Sequence, residues 1–341
     1  MTALLFFKTV FSDFYVFVTV AVTLGVAYVS GWTDAPNAIS SCVATRCLSL
    51  KKAVILAAVC DFSGSLVMGI FSGKVMETVV NLTDFSSNGI PAVCIAMISV
   101  VIWAVTAWYF GIPTSESHAL MAALFGAGVA VNGSFSSFDK SEWIKVIYGL
   151  LLSLFLGFFS GFVSSWLTVT AFHGKDKAKS DLLFARSQIF ASALMAFMHG
   201  AQDSQKFTGI IMLVVSMSGK GVSNGELSPA ILLLAPLAIA LGTASGGARI
   251  IKSVGIDMIK MRKDMGFSAD MAGAFCLFLS TIFGLPVSTT HTKTSAVLGV
   301  GAFKSIRSVN WSVAGEMISA WILTFPGCAL MSYVITRLIC G

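Results

Sequence analysis

The chain has 341 residues, 56% of them hydrophobic and 11% charged. A soluble domain is about 25% charged, so this chain cannot clothe itself for water and belongs in a bilayer. The net charge of +6 does not signal nucleic acid, because the Lys and Arg residues are spread between hydrophobic segments; the seven cysteines show neither metal-ligand nor disulfide spacing.

A membrane crossing needs roughly 20 apolar residues, and the pattern predicts ten membrane elements in two halves. The apolar run from Phe14 to Ser30 leads into GWTDAPNA at 31–38 with no small-residue cleavage pattern, which predicts a retained first span rather than a signal peptide. The first half (1–171) comprises elements at 14–46, 53–72, 91–110, 111–131 and 143–171. A polar joint at 172–183, FHGKDKAKSDLL, is predicted as a cytoplasmic linker. The second half (184–341) comprises 184–217, 229–246, 267–283, 284–303 and 311–338. The opening element of each half is too long for one simple span and carries a motif inside it, which predicts a broken helix. The fourth element of each is open between a straight crossing and a helical hairpin. The stretch 247–266 is basic and amphipathic, which predicts a cytoplasmic loop helix on lipid headgroups.

The halves repeat one another. GIPTSESHALMAALFGAG at 111–128 aligns with GLPVSTTHTKTSAVLGVG at 284–301, placing Gly111, Pro113, Ser115, His118, Gly126 and Gly128 on Gly284, Pro286, Ser288, His291, Gly299 and Gly301. Upstream, GWTDAPNA at 31–38 aligns with GAQDSQKF at 200–207, so that Asp34 falls on Asp203. Placing Arg46, Lys51 and Lys52 in the cytoplasm puts fourteen of the twenty-two basic residues inside. Both termini are then extracellular. With five elements per half the repeats are inverted, related by a pseudo-two-fold axis in the membrane plane, the sequence pattern of a secondary transporter. The predicted fold is therefore an all-α polytopic membrane protein of two inverted-topology repeats with broken helices and helical hairpins.

Asp34 is an intramembrane carboxylate, which is costly unless it faces a cavity or a partner. Pro36 disfavours helix at Ala35 and removes an N–H, so the chain is expected to open near Asp34–Asn37 and offer oxygens to a sodium ion, or a carboxyl to a proton. A capping Asp at a kink is the plainer alternative. Asp203 has Lys206 three residues on, close enough to pair on one helix face; Lys206 either neutralises Asp203 or donates to an anion. Gln202 and Gln205 add amide donors. Asp61, in the second span, is a further coupling-ion candidate.

Pro followed by a Ser/Thr run is how a helix begins, and a helix N-terminus offers unsatisfied donors and partial positive charge to an oxyanion. Inversion turns the two N-termini toward each other. Ser115, Ser117, Ser288, Thr289 and Thr290 are then predicted to converge on one small anion, against the alternative that they only cap their own helices. His118 and His291 are either packed residues or hold a proton or ligand. Glu116 has no acidic counterpart, since Thr289 stands there; it is a candidate cation ligand or pH-sensitive group. Gly64, Gly69, Gly126, Gly128, Gly299 and Gly301 are assigned to close helix packing.

GWTDAPNAISSCVATRCL at 31–48, HGAQDSQKFTGIIML at 199–213, GTASGGARIIKSVG at 242–255 and the two Pro–Ser–His segments resemble the inorganic phosphate transporter (PiT) family over nearly the whole chain. The resemblance implies phosphate symport with sodium or protons, with ligand and ion roles at Asp34/Asn37, at Gln202/Asp203 and at the hydroxyls of Ser115, Ser117, Ser288, Thr289 and Thr290. Thr33 and Gln202 stand where many members carry Asn before the aspartate, and the large central loop of eukaryotic members is absent. The expected partners are a small inorganic anion, a monovalent cation and the lipid bilayer of the cell membrane; a homodimer is left open, and neither nucleic acid nor a cofactor is implied. The rival readings are a sulfate or other oxyanion permease on the same fold and a cation channel or exchanger. Enzymatic function is disfavoured because the sequence shows no nucleophile–base pair, metal cluster or nucleotide loop.

Overall fold

The structure is a computed structural model describing residues 2–83, 85, 89–110, 114–134, 138–219, 228–246, 251 and 253–340. Gly111 and Pro113 of the first motif, Lys220, and Arg249 and Lys252 of the basic stretch lie outside the described residues. The described residues form helices α1 (Ala3–Ser12), α2 (Phe14–Thr33), α3 (Pro36–Ala44), α4 (Leu50–Phe71), α5 (Lys74–Val80), α6 (Gly89–Phe110) and α7 (Glu116–Asn132). They continue with α8 (Lys140–Ala171), α9 (Lys177–Met217), α10 (Pro229–Ala244), α11 (Lys263–Ile282), α12 (Thr289–Lys304) and α13 (Trp311–Cys340). Seven spans among them are long and apolar enough to cross a membrane, the α2–α3 pair counting as one. Isolated bridges between Thr83 and Phe138 and between Ile259 and Val309 are the β-type pairings among the described residues.

The helices bury small residues and expose large ones, the reverse of a water-facing helix. On α8, Gly149, Ser153, Gly157, Gly161 and Ser165 recur every fourth residue and are buried, while Phe155, Phe159 and Trp166 point outward. This stripe lies against α12, where a Cβ on Gly161 would come within 2.3 Å of the Ala296 carbonyl oxygen. Without a hydrophobic drive between helices in lipid, close backbone approach of this kind supplies the packing energy.

The packing is reciprocal. Within each half the opening helix lies on the third element (α2 on α6, α9 on α11). Between halves, α2 packs on α10 as α9 packs on α4, and α7 on α13 as α12 on α8. The glycines obey the same exchange. A Cβ on Gly126 would meet the Ala329 carbonyl oxygen at 2.1 Å, and one on the equivalent Gly299 would meet that of Phe158 at 2.0 Å. Gly128 abuts Thr83 and Phe138, and Gly301 abuts Ile259 and Val309, so each isolated bridge sits at the same place in its half. Two copies exchanging partners in this way are related by a two-fold axis.

Several elements depart from the sequence expectation. The break occurs in the first half, between α2 and α3, whereas α9 runs unbroken through Gln202 and Asp203 for 41 residues. Pro36 supplies the difference: it has no N–H, and the N–H of Asn37 bonds to the Asp34 carbonyl three residues back. The second copy has Gln205 there and keeps its ladder. Helix α9 also reaches back to Lys177, through most of the polar joint. The hairpins are formed by the third and fourth elements together: α6 with α7 and α11 with α12 are adjacent, five and six residues apart in the chain. At 17 and 16 residues, α7 and α12 span about 25 Å. The described part of 247–266 is not a lipid-surface helix. It holds one π-helical turn (Ser253–Asp257) and then buries Met258 and Ile259, because Gly255 packs onto the Ser40 carbonyl. The short helices α1 and α5 were not expected from periodicity.

Candidate functional site

The capped starts of α7 and α12 meet the α2–α3 break and the middle of α9. Ser115 and Ser288 are the N-caps, each hydroxyl oxygen accepting from a backbone N–H, of His118 and His291 respectively, at 3.1 Å. One lone pair of each thus serves its own helix, which leaves the hydroxyl proton and the second lone pair to reach outward.

The next residues carry the contacts between halves, and these mirror one another. Lys206 donates to the hydroxyl of Ser117 at 2.5 Å, and Asn37 donates to the hydroxyl of Thr290 at 3.0 Å. Lys206 and Asn37 each lie three residues after their aspartate, and Ser117 and Thr290 are equivalent positions of the two helix starts. Within each half a second pairing repeats. The hydroxyl of Thr289 faces Asp203 at 3.4 Å, and the carboxyl of Glu116, in the Thr289 position, lies beside that of Asp34.

The charges are not mirrored. Asp203 pairs with Lys206 at 2.6 Å and lies 3.3 Å from Nε2 of His199, whose Nδ1 lies 3.0 Å from Asp61. Asp61 also accepts from Thr243 at 2.7 Å. Lys206 gives its third proton to the Val287 carbonyl at 2.7 Å, so all three donors of the ammonium are used. In this conformation Lys206 pairs with Asp203. On the other side, Thr290 donates to Asp34 and Thr33 touches Glu116, and no cation contacts either carboxyl among the described residues. Asp34 Oδ2, Glu116 Oε2 and Asn37 Oδ1 are buried without a hydrogen-bond partner among the described residues. A buried carboxylate or amide oxygen in that condition is expensive, so these three are candidates to hold a coupling cation.

Other candidates fall elsewhere. Gln202 spends both ends of its amide on the scaffold, donating to the Leu285 carbonyl at 2.8 Å and accepting from Thr281 at 2.6 Å, which pins the turn before α12. His118 and His291 meet edge to face at 5.5 Å, with Trp321 4.2 Å from His291 and Phe325 5.5 Å from His118. His118 Nδ1 and both ring nitrogens of His291 have no hydrogen-bond partner among the described residues. Asp61 stands behind His199 and reaches the site through it.

Sequence reasoning missed His199, although its i,i+4 spacing to Asp203 was a signal, and it missed the contact of Glu116 with Asp34, which joins separate elements. It also missed a buried cluster that joins the second half to Ser41 of the first: Lys293 pairs with Asp270, which accepts from Ser41 at 2.7 Å and from Ser192 at 2.5 Å. A cavity of about 630 Å³ is lined by Arg46, Lys175, Lys177, Arg262 and Lys263 together with Asp181 and Asp264; Asp34 and Asp203 are not part of its wall.

Two reciprocal halves of a polytopic membrane protein, with a broken helix, capped helix starts and buried carboxyls meeting at their interface, have the architecture of a secondary transporter. The model of the phosphate transporter family matches residues 30–182 and again 168–332. The "Probable low-affinity inorganic phosphate transporter" of Bacillus subtilis (strain 168) is 36% identical, over 88% of this chain and 89% of its own length. The protein of the same description from Rhizobium meliloti (strain 1021) is 34% identical, over 92% and 93%. A solved structure described as "The sodium-dependent phosphate transporter" shares the fold with a TM-score of 0.85 at 21% identity, covering 96% of this chain and 99% of that one. The chain belongs to the phosphate transporter family, a family of transporters rather than enzymes.

Proposed function

We propose that this protein imports inorganic phosphate across the cell membrane by symport with a monovalent cation, sodium or proton. Both termini are placed outside, following the distribution of basic residues. The observation that carries the reading is the mirrored crossing of the halves, in which Asn37 and Lys206 each bond a hydroxyl at the opposite helix start. The anion site lies between those starts, with Ser115, Ser117 and Ser288 donating to phosphate oxygens, Thr289 and Thr290 doing so when their hydroxyls turn from Asp203 and Asp34, and the helix N-termini adding partial positive charge. Asp34, Asn37 and Asp203, with Asp61 behind His199, supply the cation side. Gln202 and Lys206 support the anion site by holding its walls, and Lys206 reaches the anion only if it leaves Asp203.

A cation between the anion and the carboxyls offsets their repulsion, so each ligand favours the other, and rocking of one half against the other then exposes the site to the cytoplasm. Hydrogen phosphate carries a hydroxyl that can donate to a carboxylate, whereas sulfate at neutral pH carries none. A site that matches this donor rejects sulfate, because an unmatched buried acceptor is costly. The test is radiolabelled phosphate uptake into proteoliposomes with sodium and pH gradients imposed separately, for wild type and Asp34→Asn. Uptake by wild type that follows one gradient, resists excess sulfate and is lost in the variant is expected. Uptake indifferent to both gradients removes symport, and flux of cation alone removes the anion site.

A further inference from the structure

The basic cavity gathers its charges from three separate parts of the chain. Arg46 follows the end of α3 in the first half, Lys175 and Lys177 come from the joint between the halves, and Arg262 and Lys263 stand at the start of α11 in the second half. Of the two acids in the wall, Asp264 is taken by Arg262 through two hydrogen bonds, at 3.0 and 2.5 Å. Lys175 is held over the Phe172 ring at 4.4 Å, which positions its charge without neutralising it. No hydrogen bond or ion pair holds the head groups of Arg46, Lys177 or Lys263 among the described residues. A cleft lined by one sign of charge focuses its field on an ion of the other sign.

Arg46 supplies an independent sign. At the end of α3 the N–H of Cys47 bonds to the Cys42 carbonyl and that of Arg46 to the Val43 carbonyl, each at 3.0 Å. The left-handed position of such a turn is ordinarily glycine. Here it is Arg46, with φ of 57°, the one non-glycine residue with positive φ among the described residues. A long basic side chain kept where it strains the backbone points to a role outside the turn, and this one lines the cavity.

The cavity also lies where membrane spans end. Helix α8 stops at Ala171, α9 begins at Lys177 and α11 at Lys263, and all three are long and apolar enough to cross a bilayer. Its wall includes Val169, exposed on α8 as Trp166 is one turn earlier. A free inorganic anion has no use for an apolar wall, whereas a lipid presents a phosphodiester at the level of the span ends and hydrocarbon just below it. We propose that this cavity binds the headgroup of an anionic phospholipid, which ties the end of α3 in one half to the start of α11 in the other. Headgroup binding here does not depend on which anion crosses the membrane.

Basic residues gather at span ends in many membrane proteins, so the test separates a built site from a generally basic face. Purified full-length protein in detergent is stripped of bound lipid and titrated with phosphatidylglycerol or with phosphatidylcholine, whose phosphodiester is neutralised by its own ammonium. The thermal midpoint and the lipid retained in native mass spectra are read for wild type, Arg46→Gly, Lys263→Gln and a control carrying Lys51→Gln and Lys52→Gln, two exposed charges that do not line the cavity. Phosphatidylglycerol is expected to raise the wild-type midpoint and to stay bound, and phosphatidylcholine to do neither. Each cavity substitution should weaken retention by about fivefold, and the control should keep it. Without lipid, Arg46→Gly should melt no lower than wild type, because glycine relieves the left-handed turn. Equal response to the two lipids overturns the site, as does a loss in the control equal to that in the cavity variants. A lipid-free midpoint of Arg46→Gly well below wild type also overturns it, since Arg46 would then serve the scaffold. Inorganic phosphate in place of lipid is expected to move wild type and cavity variants alike; a shift lost in the cavity variants would give the cavity to the free anion and overturn the lipid.

Discussion

The two halves place equivalent residues in equivalent contacts and give them different charges. In the second half Asp203 has Lys206 and His199 within 3.3 Å. In the first half Asp34 has Asn37 in the Lys206 position and the acid Glu116 in the Thr289 position. The second half thus sets its own cationic side chain against its acid, while among the described residues no cation contacts either acid of the first half. On the symport proposed above, the fixed pair maintains the architecture while the unpaired acids exchange their ion.

Substitutions that make the halves alike test that difference. The largest effect is expected for Lys206→Asn, which gives the second half the residue of the first. It leaves Asp203 buried beside an amide, and removing one partner of a buried ion pair costs about 3–5 kcal/mol. A thermal midpoint unchanged from wild type would show that Lys206 does not neutralise Asp203. Next come Gly126→Val and Gly299→Val, which test whether the scaffold is as symmetric as its contacts. A Cβ at either meets a backbone carbonyl oxygen at 2.1 or 2.0 Å, and overpacking of this kind costs about 1–3 kcal/mol. The two losses should match in denaturation experiments; a loss at one position alone would break the equivalence of the two helix pairs. Ser115→Ala and Ser288→Ala remove the two caps and should each cost about 1 kcal/mol, again equally. Smallest in stability is Asp34→Asn. Because it separates two carboxyls without orphaning a cation, its midpoint should stay within about 1 kcal/mol of wild type, even as uptake fails. A collapse comparable to Lys206→Asn would mean that Asp34 is a structural acid after all.

Much of this was legible in the chain. The repeat, the membrane class, the inverted pairing and the residues at the centre follow from local pattern: Pro–Ser runs start helices, apolar runs cross membranes, and an acid inside such a run has a purpose. The GWTDAPNA motif shows both the reach and the limit of such reasoning. Pro36 broke the first helix as its missing N–H requires, but the same motif in the second half lacks proline, and α9 continues through it. The sequence also placed Ser115 and Ser288 on the site and left open whether they cap or donate; the structure has their oxygens capping.

The sequence by itself determined which groups are expensive to bury and where helices start, because these depend on residue type and on neighbours a turn away. Only the tertiary structure decided which buried group answers which. The Lys206 donors reach Ser117 and Val287, 89 and 81 residues distant, and Asn37 reaches Thr290 across 253. Glu116 meets Asp34 only because the start of α7 docks against the break after α2. Partnership between charges is a property of distances in space, and a bilayer's low dielectric makes each of those distances decide whether a charge is held by the protein or by an ion from outside.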